Sequence, residues 1–143
     1  MTRALALAAV LLLAGCHAAP SPAPITSGAA ARTRWTAHRP AAYAYTLEIS
    51  CMCLHRGRYQ VEARDGRVVA ARDAVTGLQA EEHRMLLIPS VEQLHARIQE
   101  AEQAGTPVRA TYDATIGHPI EVEIGLLADD SGTLYRIEGL RLI

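Results

Sequence analysis

The sequence predicts an α+β fold: an antiparallel sheet of about five to six strands with one helix packed on one face, in βββ-α-βββ order. Three observations carry that expectation. Apolar residues alternate with polar ones at period two in several short runs. One segment, beginning at Ser90, has helical spacing instead, with its own start and stop signals. Asp65-Gly66 separates two of the alternating runs and suits a two-residue hairpin turn that needs positive φ.

Tyr43, Tyr45, Leu47 and Ile49 alternate with Ala44, Thr46, Glu48 and Ser50, so one face of this first strand is buried. Tyr59, Val61 and Ala63 alternate with Gln60, Glu62 and Arg64 in the second. Across the Asp65-Gly66 turn, Val61 is expected to face Ala70 and Ala63 to face Val68, so the apolar phase survives the turn. Met85-Leu86-Leu87-Ile88 reads as an edge strand or a buried lead-in to the helix. Ser90 caps that helix, with Gln93 at capping-box spacing. Val91, Leu94, Ile98 and Ala101 form its apolar stripe, His95 borders the stripe, and Gly105 and Pro107 stop it.

Three more strands follow. Val108, Ala110 and Tyr112 share one phase, Gly117-His118-Pro119 turns the chain, and Ile120, Val122 and Ile124 alternate with Glu121 and Glu123. In the last strand Tyr135 and Ile137 hold one phase while Leu140 and Leu142 hold the other. A bulge at Gly139 accounts for the change. Glu48, Glu62, Glu121 and Glu123 make the uncovered sheet face polar.

The N-terminus reads as an export signal: Met1-Thr2-Arg3, an apolar run, then Leu13-Ala14-Gly15-Cys16. The last four residues resemble the lipobox of bacterial lipoproteins, in which the cysteine thiol takes a diacylglyceryl group and becomes the first mature residue. Cleavage without lipid near Ala18 or Ala19 is the alternative. The apolar run is shorter than the about 20 residues of a transmembrane helix. His17, rather than Asp, follows the cysteine, which by the same resemblance implies the outer membrane facing the periplasm if the host has two membranes. The expected organisation is therefore 1–15 signal peptide, 16–36 lipidated Cys16 and an Ala/Pro/Ser-rich linker, and 37–143 a single α+β domain. As polyproline II, at about 3.1 Å per residue, the linker would reach up to ~60 Å. Trp35, at its end, is expected to fold onto the sheet as a lid.

Composition removes several function classes. The chain has no Lys, which excludes Schiff-base chemistry and a Walker-type phosphate loop. Its formal net charge is −1 with both signs interspersed, so no basic run points to nucleic acid. Serine-nucleophile elbows and two-histidine metalloprotease motifs are absent from the sequence. Missing Lys, Asn and Phe beside abundant Ala and Arg fit a GC-rich genome.

Along the chain stand the lipobox, Tyr43-x-Tyr45, Cys51-x-Cys53, Asp65-Gly66, Tyr112-Asp113, Gly117-His118-Pro119, and Asp129-Asp130 ahead of a Tyr-containing last strand. From about residue 35 to the C-terminus, this order and spacing resembles a family of small secreted bacterial lipoproteins known as domain of unknown function 6174. The resemblance implies an exported compartment and the domain's extent, and brings no activity with it.

If Cys16 is lipidated, Cys51 and Cys53 are the pair left, in a compartment that oxidises thiols. A disulfide between them is one reading. Residues i and i+2 of an extended strand lie about 6.6 Å apart, so a bridge requires the backbone to bend and the first strand to end near Ser50. Closing so small a loop contributes only about 1.5 kcal/mol, so shaping the turn is its better purpose. A second reading adds His55: two thiolates and an imidazole suit zinc or copper(I). Thiol–disulfide exchange is a third, with adjacent Arg56 and Arg58 lowering a thiol's pKa.

Tyr112, Asp113 and His118 bracket another candidate loop, where Asp113 caps backbone amides or pairs with His118 in acid–base chemistry. Glu81-Glu82-His83 is expected to be a solvated loop, and Asp129-Asp130 lacks the spacing of a calcium loop. The leading expectation is a lipid-anchored extracytoplasmic, non-enzymatic binding or envelope-structural module, membrane-bound through Cys16, with an envelope protein or ligand as partner. The alternative is a periplasmic metal-binding or thiol-redox protein using Cys51, Cys53 and His55.

Overall fold

The computed structural model describes residues 19–143, so the signal peptide and the lipidation expected at Cys16 fall outside the described residues. Ten elements follow in order: α1 (Gly28–His38), β1 (Ala42–Ser50), β2 (Gly57–Arg64), β3 (Arg67–Asp73), α2 (Glu82–Met85), α3 (Val91–Gln103), β4 (Val108–Tyr112), β5 (Pro119–Ile124), a 3-10 turn at Leu127–Asp129, and β6 (Thr133–Leu142).

The six strands form one antiparallel sheet in the order β3-β2-β1-β6-β5-β4. The first and last strands are thus neighbours at its centre. Helix α3 leaves the β3 edge, crosses one face and returns the chain to β4 at the opposite edge. Tyr43, Tyr45, Leu47, Ile49, Val61, Val122 and Ile137 form the sheet's side of the core, and Val91, Leu94 and Ile98 the helix's side. Each such side chain contributes ~1.5–3 kcal/mol by leaving water.

The α3 cap is as expected, and it is tied into the sheet. Ser90 N donates to Gln93 Oε1 at 2.8 Å, and Gln93 N donates to Ser90 Oγ at 3.1 Å. Ser90 Oγ also donates to the Gly66 carbonyl at 2.7 Å, pinning the helix start to the β2–β3 turn. Two tyrosines from β1 reach the same point. Tyr43 donates to Glu92 and accepts from Val91 N, and Tyr45 donates to the Pro89 carbonyl. These bonds satisfy hydroxyls that burial would otherwise leave costly.

Three helices are present among the described residues, so the expectation of one helix in βββ-α-βββ order is corrected. Helix α1 begins inside the stretch read as linker through Thr36 and runs to His38, across the domain start expected at residue 37. Ser27 caps it by accepting from Ala30 N at 3.2 Å, and the Ala-rich sequence has high helix propensity. Its small residues supplied no apolar period. The folding signal is instead the pair Ala31 and Trp35, one turn apart and both buried. Trp35 covers the sheet as expected. No strand forms at Met85–Ile88: α2 ends at Met85 and a turn follows, in which Leu86 is 78% exposed and Ile88 is buried, so Ile88 alone acts as the buried lead-in to α3.

The β2–β3 hairpin turns at Asp65-Gly66 with both residues at positive φ, and Ala63 faces Val68. Val61 faces Ala71 rather than Ala70, because a bulge between Glu62 and Ala63 adds Val69 to β3. The bulge turns Ala71 into the core and leaves Ala70 on the open face. In β6, Gly139 has φ +61°, and the pairing with β1 slips between Ala44 and Thr46, as a bulge at Gly139 requires.

Candidate functional site

Strand β1 ends at Ser50, where Cys51 begins a bent connection to β2. Ile49 and Tyr59 anchor the two strand ends in the core, and Tyr59 Oη donates to the His55 carbonyl at 3.1 Å. The short connection is therefore held at both sides. The bend brings the Cys51 and Cys53 Cα atoms to 5.2 Å, inside the usual disulfide range, and places their sulfurs in bonding contact.

His55 Nε2 lies 3.6 Å from Cys53 Sγ. The two sulfurs and an imidazole nitrogen all lie within 4.8 Å of one another, and all three residues are half-buried. Burial, and secondarily the Arg97 guanidinium, lowers the His55 pKa. Between and beside these groups, Met52 is 73% exposed and Leu54 88% exposed. Arg56 and Arg84 line the concavity next to Cys53 together with those two apolar side chains.

The uncovered sheet face carries a second feature. Its middle is charge-paired across strands: Arg136 reaches Glu121 at 2.9 Å and Glu48 at 3.5 Å, and Arg58 reaches Glu138 at 2.7 Å. Toward the β3 end, the face sinks into an open concavity of about 290 Å³. Ala44, Ala70 and Gly139 are its small residues; Thr46, Gln60, Glu62, Arg72 and Arg141 are among its polar ones. Both bulges help form it, one by placing Ala70 outward and the other by placing Gly139 in β6. Among the described residues, neither Arg72 nor Arg141 makes a salt bridge. Two bulges and two unpaired guanidiniums leave no short sequence signal, because the strands that supply them are far apart in the chain.

The Tyr112–His118 loop is arranged differently from an acid–base pair. Asp113 Oδ1 accepts from Thr115 N at 2.9 Å and Ile116 N at 2.7 Å, so its carboxylate caps the loop. His118 packs toward Trp35, with ring centroids 6.5 Å apart, and burial lowers its pKa. Tyr112 stacks on His95 at 6.1 Å. His95 is 2% exposed, a core residue rather than the border residue expected, and its Nε2 meets the Gly117 carbonyl at 3.1 Å. Glu81, Glu82 and His83 are exposed, with the last two in α2 instead of a loop. Asp129 and Asp130 are exposed around the 3-10 turn.

No curated protein and no solved structure matches the chain. A family model described as a family of unknown function, DUF6174, matches residues 27–141. That span begins at the α1 cap and ends in β6, so it takes in α1 along with the whole sheet. The chain belongs to the DUF6174 family.

Proposed function

We propose that the protein is a lipid-anchored extracytoplasmic binding module, held in the cell envelope by acylated Cys16 and presenting its uncovered sheet face to a polar partner. The observation that carries the reading is the concavity around Ala44, Ala70 and Gly139. Its small residues let a partner approach the sheet backbone closely, and the guanidiniums of Arg72 and Arg141, which make no salt bridge among the described residues, outnumber Glu62, the carboxylate in the same lining. Such forks match carboxylates on a protein or glycan partner. The role is non-covalent, and the envelope is the place where it acts.

Two measurements test the reading. Metabolic labelling with a fatty-acid analogue should mark the wild-type chain and leave Cys16→Ala unlabelled. A photo-crosslinking residue at Gln60 should give a discrete adduct in intact envelopes that is lost on Arg72→Glu with Arg141→Glu, whereas one at Gln99 on α3 should give none. Equal adducts from both positions would overturn the assignment of the open face.

A further inference from the structure

The β1–β2 connection carries chemistry that the open-face reading does not use. We infer that, once its sulfurs are reduced, this connection binds a single copper(I) ion through Cys51 Sγ, Cys53 Sγ and a His55 ring nitrogen.

Four observations lead there. The three donor atoms already lie within 4.8 Å of one another, so one ion can meet all three after small side-chain rotations. The donors are two soft thiolates and a neutral imidazole, a set that selects copper(I) or zinc over hard cations. The set contains three donors, which satisfies copper(I) as a trigonal ion, whereas structural zinc closes its shell with four. The surrounding charge decides between them. Two thiolates with a monovalent ion leave one net negative charge, and with a divalent ion none. Arg56 and Arg84 line the neighbouring concavity, so the setting favours the site that keeps a negative charge. Glu48, on the Cys51 side, is engaged by Arg136.

The site is gated by redox state. With Cys51 and Cys53 bonded, neither sulfur is a thiolate donor. A dithiol reductant delivers two electrons and two protons to the S–S bond, leaving two thiols, and is itself oxidised to a disulfide. Binding then releases two protons from those thiols, and the ion enters and remains as copper(I). The half-buried position leaves the sulfurs reachable for both steps, with Met52 and Leu54 projecting beside them.

The test uses the full-length protein in detergent, reduced with a water-soluble phosphine under anaerobic conditions. Copper(I) is supplied from a chromogenic bidentate chelator, with oxidised protein in parallel. Reduced wild type should withdraw one copper per chain and show a thiolate-to-copper ultraviolet band; oxidised wild type should withdraw none. Cys51→Ser and Cys53→Ser should each abolish transfer. His55→Ala and His55→Gln should weaken affinity at least about tenfold, the smallest loss usual even for groups that only orient a ligand. A tenfold excess of zinc should leave the copper in place. Transfer to oxidised protein, no transfer to reduced wild type, unchanged affinity in both His55 variants, or displacement by zinc would each overturn the inference. The oxidised, reduced and zinc arms need only wild-type protein, so the outcome does not depend on how any variant folds.

Discussion

Trp35 packs its ring edge-on against Tyr43, with centroids 5.3 Å apart and planes at 84°. This contact joins α1 to the central strand. Tyr43 in turn bonds Glu92 and Val91 at the start of α3, so one β1 side chain couples both long helices to the sheet. Aromatic edge contacts add about 0.5–1.5 kcal/mol beyond area burial, and the buried area itself contributes more. Removing the ring should therefore be expensive. Trp35→Ala should lower unfolding free energy by about 3–5 kcal/mol in a denaturant titration, and Trp35→Phe by clearly less. A loss below about 1 kcal/mol would mean that α1 is not an integral part of the domain.

Gly117 provides a sharper test of the same docking. Its φ is +81°, and an added Cβ would sit 2.4 Å from the Ala31 carbonyl oxygen and 3.0 Å from Trp35 N. Gly105 has a similar φ of +70°, with nothing within 4 Å of the added atom. Gly105→Ala should cost about 1 kcal/mol from backbone strain alone. Gly117→Ala should cost distinctly more and red-shift Trp35 fluorescence, because α1 has to move away. Equal costs and unchanged emission in both variants would contradict the packing described.

Ser90 makes bonds in two directions, to Gln93 within α3 and to Gly66 in the hairpin turn. Ser90→Ala should lose the cap, worth about 1 kcal/mol, together with the bond that satisfies the Gly66 carbonyl. A thermal melt should show the combined loss. Gln93→Ala removes only the reciprocal half of the box and should cost less.

The buried histidines make stability fall in acid. Burial lowers the His95 pKa to about 4, outweighing the opposing hydrogen bond that its ring donates to the Gly117 carbonyl, against 6.5 when unfolded. The unfolded chain therefore binds more protons between those values. The contribution is complete above pH 6.5 and is lost as pH falls toward 4, at up to about 1.4 kcal/mol per pH unit. His118, also lowered by burial, adds to the slope in the same sense. Denaturant midpoints measured from pH 7 to 4 should show this fall, and His95→Gln, which retains a donor for the Gly117 carbonyl, should flatten it. An unchanged slope in that variant would place the proton uptake elsewhere.

Most strands could be read from the chain because a half-buried strand must alternate its side chains. Tyr43 through Ile49 and Tyr59 through Ala63 show that alternation directly, whereas Ile120, expected in phase with Val122, sits at a bulge opposite β4 and is 41% exposed. The α3 boundaries were equally plain, since Ser90, Gln93 and Gly105 act through local geometry. Helix α1 was not, because an Ala-rich helix that buries only Gly28, Ala31 and Trp35 has almost no apolar period. Composition made it resemble a linker. His95 looked like a border residue on its own helix, and only α1 and the Gly117 loop close over it. The cysteine bend was legible in part: Cys51-x-Cys53 demanded that β1 stop near Ser50, and it does.

Sequence alone determined most strand phases, the α3 cap and the three clustered donors of the β1–β2 connection. Each depends on residues a few positions apart, where local sterics and hydrogen bonding govern. Tertiary structure decided that β1 and β6 meet at the sheet centre, that α1 belongs to the core, and that Ala44, Ala70 and Gly139 share one concavity with Arg72 and Arg141. Those outcomes depend on strand order and on two bulges. Pairing between distant segments is selected by the packing of the whole core, which no short stretch of sequence records.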